Sequence, residues 1–257
     1  MKLKRSTYEV LQYFSTIDEI LSYTGNGVLA IKDQSGSGFT EVEIPDFFDE
    51  QIVIRSLPKF LRLFSFPKTS KNDSGEPESL QDWTLREELN TKNGQLEHQM
   101  YLKSPGKTVK IKQGSIGFIE KRVPKKRFDE FVLTNSVKFQ IDRFQYKQII
   151  TDCSLLDLDL ITMESINEHL IEIRLSKKDS TINTDTSVYQ IECDHEHHPI
   201  KATIMLNLFS LIDATDHQIE FGMYNPNEEL NALIVKVKSF YTSDLIVKRF
   251  IVGINGD

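Results

Sequence analysis

Cysteine is nearly missing from this chain, with Cys153 and Cys193 the only two in 257 residues. A disulfide framework is thereby excluded as the source of stability, and a reducing compartment is implied. Long apolar runs are missing as well. Nothing approaches the roughly 18–20 residues that cross a bilayer, so no membrane partner is expected. The basic start, Met1-Lys2-Leu3-Lys4-Arg5, runs into a polar amphipathic segment rather than an apolar h-region, which is not a secretory signal. There is no Walker-type glycine loop, nucleophile elbow or zinc-finger spacing, and no carboxylate pair that spacing nominates for acid–base work. Accordingly no catalytic residue, cofactor or metal is expected, and the chain reads as a non-enzyme. Positive charge is in deficit too: 31 Lys+Arg against 38 Asp+Glu leave a net charge of −7. This argues against a generally basic surface, yet allows cations gathered on one face of an acidic molecule.

What is present is a pattern that runs twice. Val10, Leu11, Phe14 and Ile17 form an apolar stripe, predicting a helix from about Lys4 or Ser6 to Phe14. Strands are predicted at Ile20–Tyr23, Val28–Ile31, Phe39–Ile44 and Gln51–Arg55, separated by glycine turns. Ser56 is a candidate N-cap and Pro58 suits a first helical turn, giving a second helix that ends at Pro67. The polar stretch Lys68–Glu78 reads as a loop, and Trp83–Leu89 as a short charged helix. Strands at Gln95–Leu102 and Lys107–Ile111 close the first half. The glycines, proline and basic run of Gly114–Arg127 mark a linker. The second half then opens on a strand, Val137–Ile141, followed by Asp142 as N-cap of a helix, Arg143–Cys153, with Tyr146, Ile149, Ile150 and Cys153 inward. Further strands are predicted at Leu156–Met163, His169–Leu175 and Val188–Glu192, and a fourth helix at Ile204–Ile212. Gln218–Tyr224, Ala232–Ser239 and Asp244–Gly253 are the last strands. Helix, strands, helix, strands, repeated, implies two similar α+β units.

Two constellations stand out. Lys4 and Arg5 begin the first helix, Lys59 and Arg62 lie three apart on the second, and Arg143 and Lys147 lie four apart on the third. All six are separable from the apolar stripes. Repetition of the arrangement suggests one electropositive surface that tracks phosphates without reading bases. The other constellation is Cys193-Asp194-His195-Glu196-His197-His198, which gathers ligand-type side chains before Pro199. It has no helical His pair and no second ligand cluster, so a polar surface turn is the simpler reading; a metal-dependent enzyme built on His195–His198 is the rival one.

The chain resembles the DNA polymerase sliding clamps of T4-type bacteriophages. The residues that carry the resemblance are Met1-Lys2-Leu3, Leu11-x-x-Phe14-x-Thr16-Ile17, Leu57-x-x-Phe60-Leu61 with Phe64-Ser65, and Ser136-Val137-x-Phe139-x-Ile141. Gln148-Ile149-Ile150, Leu158-Asp159 and Asn207-Leu208-x-x-Leu211 continue it. Lys68 to about Gln99 is longer than in the family, and the His-rich loop is unfamiliar there. The resemblance implies an α+β DNA clamp fold with two similar clamp domains, at 1–113 and 132–257, joined by a connector at 114–131. It implies a homotrimer closed head to tail, helices lining a channel and antiparallel sheets outside, with Lys4, Arg5, Lys59, Arg62, Arg143 and Lys147 facing duplex DNA independently of sequence. Phe118, Ile119, Val123 and Pro124 of the connector would bind a partner peptide. The implied partners are a replicative DNA polymerase and a clamp loader ATPase, in the cytoplasm of an infected bacterial host, with late-transcription coactivation by analogy. A clamp-fold interaction module that does not encircle DNA is the alternative.

Overall fold

The computed structural model describes residues 2–44, 47, 50–67, 76–89, 96–112, 114, 123–178, 186–193, 199–225 and 231–254. The chain divides into two compact units: Met1–Lys32 with Glu43–Pro124, and Asp33–Val42 with Lys125–Asp257. The element order is the same run twice. First come β1 (Lys2–Lys4), α1 (Arg5–Ile17), β2 (Leu21–Tyr23), β3 (Val28–Lys32), β4 (Gly38–Glu43), β5 (Ile52–Ile54), α2 (Leu57–Leu61), β6 (Glu78–Leu89), β7 (Leu96–Ser104) and β8 (Lys107–Ile111). Then come β9 (Thr134–Asp142), α3 (Arg143–Leu155), β10 (Leu160–Asn167), β11 (Leu170–Ser176), β12 (Ser187–Glu192), β13 (Lys201–Met205), a 3-10 turn Leu206–Phe209, β14 (Asp216–Tyr224), β15 (Ala232–Phe240) and β16 (Ile246–Val252). Strand pairing repeats too. The first unit has the orders β1-β6-β7-β8 and β5-β2-β3; the second has β9-β14-β15-β16 and β13-β10-β11-β12, with β4 added beside β16. Every pairing for which the register is defined is antiparallel. No helix of the described residues is long and apolar enough to cross a membrane.

In the first unit α1 buries Val10, Leu11 and Phe14 and packs on α2. Lys4 supplies no side-chain cap. The helix's orphan N–H groups are met instead by the returning chain: Arg5 N donates to Pro77 O at 2.9 Å and Ser6 N to Glu76 Oε1 at 2.5 Å. A carboxylate at that end also suits the helix dipole. The second helix is shorter than its periodicity predicts. After Leu61 the chain tightens into i→i−3 bonds, Leu63 N to Phe60 O and Phe64 N to Leu61 O, both 3.1 Å. Ser65 O then accepts from Leu80 N at 2.8 Å, so β6 draws the chain away before Pro67.

Trp83–Leu89 is strand, not helix. Its Leu-Arg-Glu-Glu-Leu composition favours helix locally, but pairing to β7, with Trp83 opposite Leu102, overrides that preference. Trp83 is fully buried among Phe47, Phe60 and Phe64, at centroid separations of 5.4, 5.4 and 6.0 Å. Only the extended register delivers its ring there.

In the second unit α3 begins with a reciprocal cap. Asp142 Oδ1 accepts Gln145 N at 2.8 Å, and Gln145 Oε1 accepts Asp142 N at 2.9 Å. Tyr146, Ile149 and Cys153 face a core that includes Ile161, Met163, Ile173, Phe209, Phe221 and Val235. The fourth predicted helix is a strand followed by a single 3-10 turn. Ala202 and Ile204 point inward with period two while β13 pairs with β10.

His217 of β14 is fully buried. Its Nδ1 lies 2.8 Å from Ser239 Oγ, its ring 4.8 Å from that of Tyr146, and its Nε2 has no hydrogen-bond partner. Burial pushes its pKa from 6.5 down to about 4, although Asp216 and Asp213 pull it the other way. The folded chain therefore binds fewer protons here than the unfolded one. Stability from this site is complete above pH 6.5 and falls as pH drops toward 4. Between neutral pH and the folded pKa the loss is about 3 kcal/mol, and a His217→Gln chain should show a correspondingly flatter pH dependence of its urea midpoint.

Candidate nucleic-acid interface and partner site

The cations of the first unit sit at its helix ends. Lys4 is exposed on β1, two residues from Lys2 and across from Glu78. The side chain of Arg5 lies 5.3 Å over the Phe66 ring and 3.6 Å from Glu9 Oε1. Lys59 is exposed on α2, and Arg62 is exposed just beyond its last turn. Among the described residues neither has an ion-pair partner. They project opposite Leu57, Phe60 and Leu61, which are buried.

On α3 the picture differs. At about 100° per residue the direction opposite Tyr146, Ile149 and Cys153 falls on Phe144, Thr151 and Leu155. Phe144 is 81% and Leu155 76% exposed. Arg143 and Lys147 stand on one shoulder of that face, and both are held by Asp213. The Arg143 guanidinium donates to Asp213 Oδ1 at 2.6 Å and Oδ2 at 2.5 Å, and Lys147 Nζ to Oδ2 at 3.3 Å. Those hydrogen bonds, Arg143's first, hold the Asp213 carboxyl below the usual carboxylate range. All three side chains are about half exposed, so water screens the cluster and it adds little to folding. Its electrostatic effect is larger: two cations and one anion leave a single net positive charge. Asp213 lies far from the helix in sequence, and no spacing signal links it to Arg143.

The connector divides. Phe118 and Ile119 lie outside the described residues, whereas Val123 and Pro124 are half-buried. The larger apolar feature is at the connector's exit. Phe39, Phe128, Leu133, Ile234 and Phe250 form a buried cluster, with half-buried Phe131, Tyr224, Ala232 and Val252 packed against it. Phe131 lies 4.2 Å from Phe250 and 5.0 Å from Tyr224, and Phe39 stacks on Phe250 at 5.0 Å. Lys126 rims this floor, donating to Tyr224 Oη at 2.9 Å. An apolar, partly open floor beside a cation fits an aromatic or aliphatic side chain from a short peptide. Sequence reasoning missed Phe39, Phe131, Tyr224 and Phe250 because they come from β4, the connector exit, β14 and β16.

The loop from Asp194 to His198 lies outside the described residues. Beside it in the chain, an open recess of about 750 Å³ is lined by Asn167, Glu168, His169, Leu170, Glu192 and Cys193. No group of three His, Cys, Asp or Glu side chains among the described residues is placed to hold a metal. Cys153 is buried, and desolvation pushes its thiol up to about 11, which keeps it protonated and unreactive.

No protein-family model and no curated protein matches this chain. Solved structures do. A PCNA2–PCNA3 complex from Sulfolobus tokodaii matches with a TM-score of 0.59 at 12% identity, covering 98% of each chain. The Proliferating Cellular Nuclear Antigen of Entamoeba histolytica matches at 0.53 and 12%, over 98% of this chain and 97% of that one. The Helicobacter pylori beta clamp bound to a DNA ligase peptide matches at 0.56 and 11%, over 100% of this chain but 65% of that one. Together these likenesses show the fold: the chain has the two-domain clamp fold, mostly antiparallel sheet with few helices.

The Asp213 cluster is open to direct measurement. By carboxyl NMR the Asp213 titration should lie below the ordinary 3.8, and Arg143→Ala with Lys147→Ala should return it toward that value.

Proposed function

We propose that this chain is a sliding clamp, a non-enzymatic ring of three copies that encircles duplex DNA and tethers a replicative polymerase. The observation that carries the reading is the clamp fold running over both units, matched across 98% of this chain and 98% of a PCNA2–PCNA3 chain. The repeated strand–helix plan supports it, because each copy then contributes two similar units to a closed ring. Sheet edges support it as well. β8 and β12 each lie at the edge of a sheet. Half-buried Val109 and Ile111 are on one and exposed Val188 is on the other. Head-to-tail pairing of β8 with β12 of the next copy is a heterologous contact that closes by rotation and leaves neither edge open.

In this reading Lys4, Arg5, Lys59, Arg62, Arg143 and Lys147 face the duplex. Their attraction to phosphates is diffuse, favouring the threaded state without pinning the ring to one site. Asp213 weakens it further at α3. The acidic remainder of a chain with net charge −7 discourages adsorption of DNA outside the channel. The aromatic floor at the connector exit, which follows Val123 and Pro124 in the chain, takes a peptide of the polymerase and of other partners. A clamp loader ATPase opens the ring. The resemblance to T4-type phage clamps points to a phage origin, action in the infected bacterial cytoplasm, and late-transcription coactivation. One observation favours a clamp-fold interaction module that does not encircle DNA: the neutral Phe144–Thr151–Leu155 face of α3.

Light scattering decides between them first, since a trimer keeps the ring and a strict monomer at high concentration removes it. Replacing Lys59, Arg62, Arg143 and Lys147 by Ala together should cut loader-dependent primer extension at least tenfold while leaving the circular dichroism spectrum intact. Unchanged extension removes these residues from the channel. Asp213→Asn should act oppositely, tightening duplex binding several-fold at low salt and steepening the log K against log salt slope by about one.

A further inference from the structure

Beside the aromatic row on the outer face of the β4-β16-β15-β14-β9 sheet runs a charged one. Register sets Glu41 opposite Lys248 and Lys248 opposite Lys238, while Lys236, between Phe250 and Glu220, continues the aromatic row. The connector exit, Arg127 to Phe131, passes over these rows. Glu41 is 1% exposed. Its Oε2 accepts from Arg127 Nε and from the Phe128 amide N–H, both at 3.1 Å. Lys248 Nζ lies 3.9 Å from Glu41 Oε1 and donates to Asp129 Oδ2 at 2.6 Å. Lys236 Nζ donates to Phe131 O at 2.8 Å and sits 4.6 Å over the Phe128 ring. Four of the five connector-exit residues are thus held by charged groups of the sheet.

A carboxylate this deeply buried is tolerated only where donors surround it, and an apolar pair of similar volume would serve stability as well or better. What charged hydrogen bonds add is direction. With Oε2 shared between a guanidinium and a backbone N–H, the Arg127–Phe128 step has one place to sit. Phe131 follows three residues later, stacked 4.2 Å from Phe250.

We infer that Glu41 is the positioning residue of the partner-peptide site, its carboxylate fixing the Arg127–Phe128 step so that Phe131 completes the Phe39–Phe250 floor. The inference rests on the peptide-site reading above. A merely stabilising Glu41 would lower the melting point when altered and leave the connector where it is.

The full chain, as Glu41→Gln and as Arg127→Met, tests this by amide hydrogen exchange and by affinity for a synthetic peptide selected on the wild-type chain from a random display library. In Glu41→Gln the Phe128–Leu133 amides should exchange about tenfold faster or more, while those of β10 and β11 keep their protection. Peptide affinity should fall about tenfold, with oligomeric state unchanged. Arg127→Met leaves Glu41 and the sheet in place and removes a side chain that is already partly exposed, so it tests the same step if Glu41→Gln fails to fold; its effects should be smaller and in the same direction. Unaltered exchange at Phe128–Leu133 overturns the inference, as does faster exchange with undiminished affinity. If no peptide is selected on the wild-type chain, the peptide-site reading fails and the inference with it, a result distinct from the other two because it appears before any variant is made.

Discussion

The antiparallel pairing of β4 with β16 is the contact on which the second unit's chemistry depends. Register places Phe39 opposite Phe250, Thr40 opposite Arg249 and Glu41 opposite Lys248. Side chains alternate across a sheet, so Phe39, Glu41, Lys248 and Phe250 share the outer face while Thr40 and Arg249 turn inward. Inward, the Arg249 guanidinium is buried against Asp33 Oδ1 at 2.9 Å, Thr40 Oγ1 at 2.7 Å and Leu208 O at 3.1 Å. Burial raises the Asp33 pKa and Arg249 opposes the rise, so the pair stands or falls together. A slip of one residue would send the aromatics inward and leave Arg249 facing solvent. Gly38 guards against this, since a β-carbon there would sit 2.4 Å from Phe250 O and 2.5 Å from Asp33 Oδ2. Only glycine permits the approach that starts the pairing.

Electrostatics in the two units follow different rules. In the first, Lys59 on a short helix and Arg62 just beyond it have no ion-pair partner among the described residues, so an approaching anion displaces no described carboxylate from them. In the second, Arg143 and Lys147 are already engaged by Asp213, and a phosphate must compete with that carboxylate. Asymmetry of this kind weakens the pull of α3 on an anion, and it comes from one residue beyond the helix. At the connector exit the reverse holds for Glu41 and Lys236, which are buried and whose hydrogen bonds fix the direction of the chain.

Much of the fold was legible in the sequence, for a local reason. Period-two alternation located β9, because one of its faces lies on a core. Asp142 as N-cap and the Tyr146–Ile149–Cys153 stripe located α3, because a helix repeats every 3.6 residues. The doubling of the plan was visible as well. Errors came where local preference and tertiary pairing disagree. Trp83–Leu89 has helical composition and forms β6; Ile204–Ile212 has helical length and forms the end of β13 and one 3-10 turn. In both, a neighbouring strand needed a partner and the backbone followed.

By itself the sequence determined the α+β class, the repeat, the absence of disulfides and the identity of the cations available to an anionic partner. Each of these depends on composition or on residues a few positions apart. Only the tertiary structure decided that Asp213 restrains Arg143 and Lys147, that α3 turns Phe144 and Leu155 to its open side, and that the aromatic floor gathers at the connector exit. Antiparallel pairing brings Thr40 and Arg249 together across 209 residues of chain, and no local spacing encodes such a meeting.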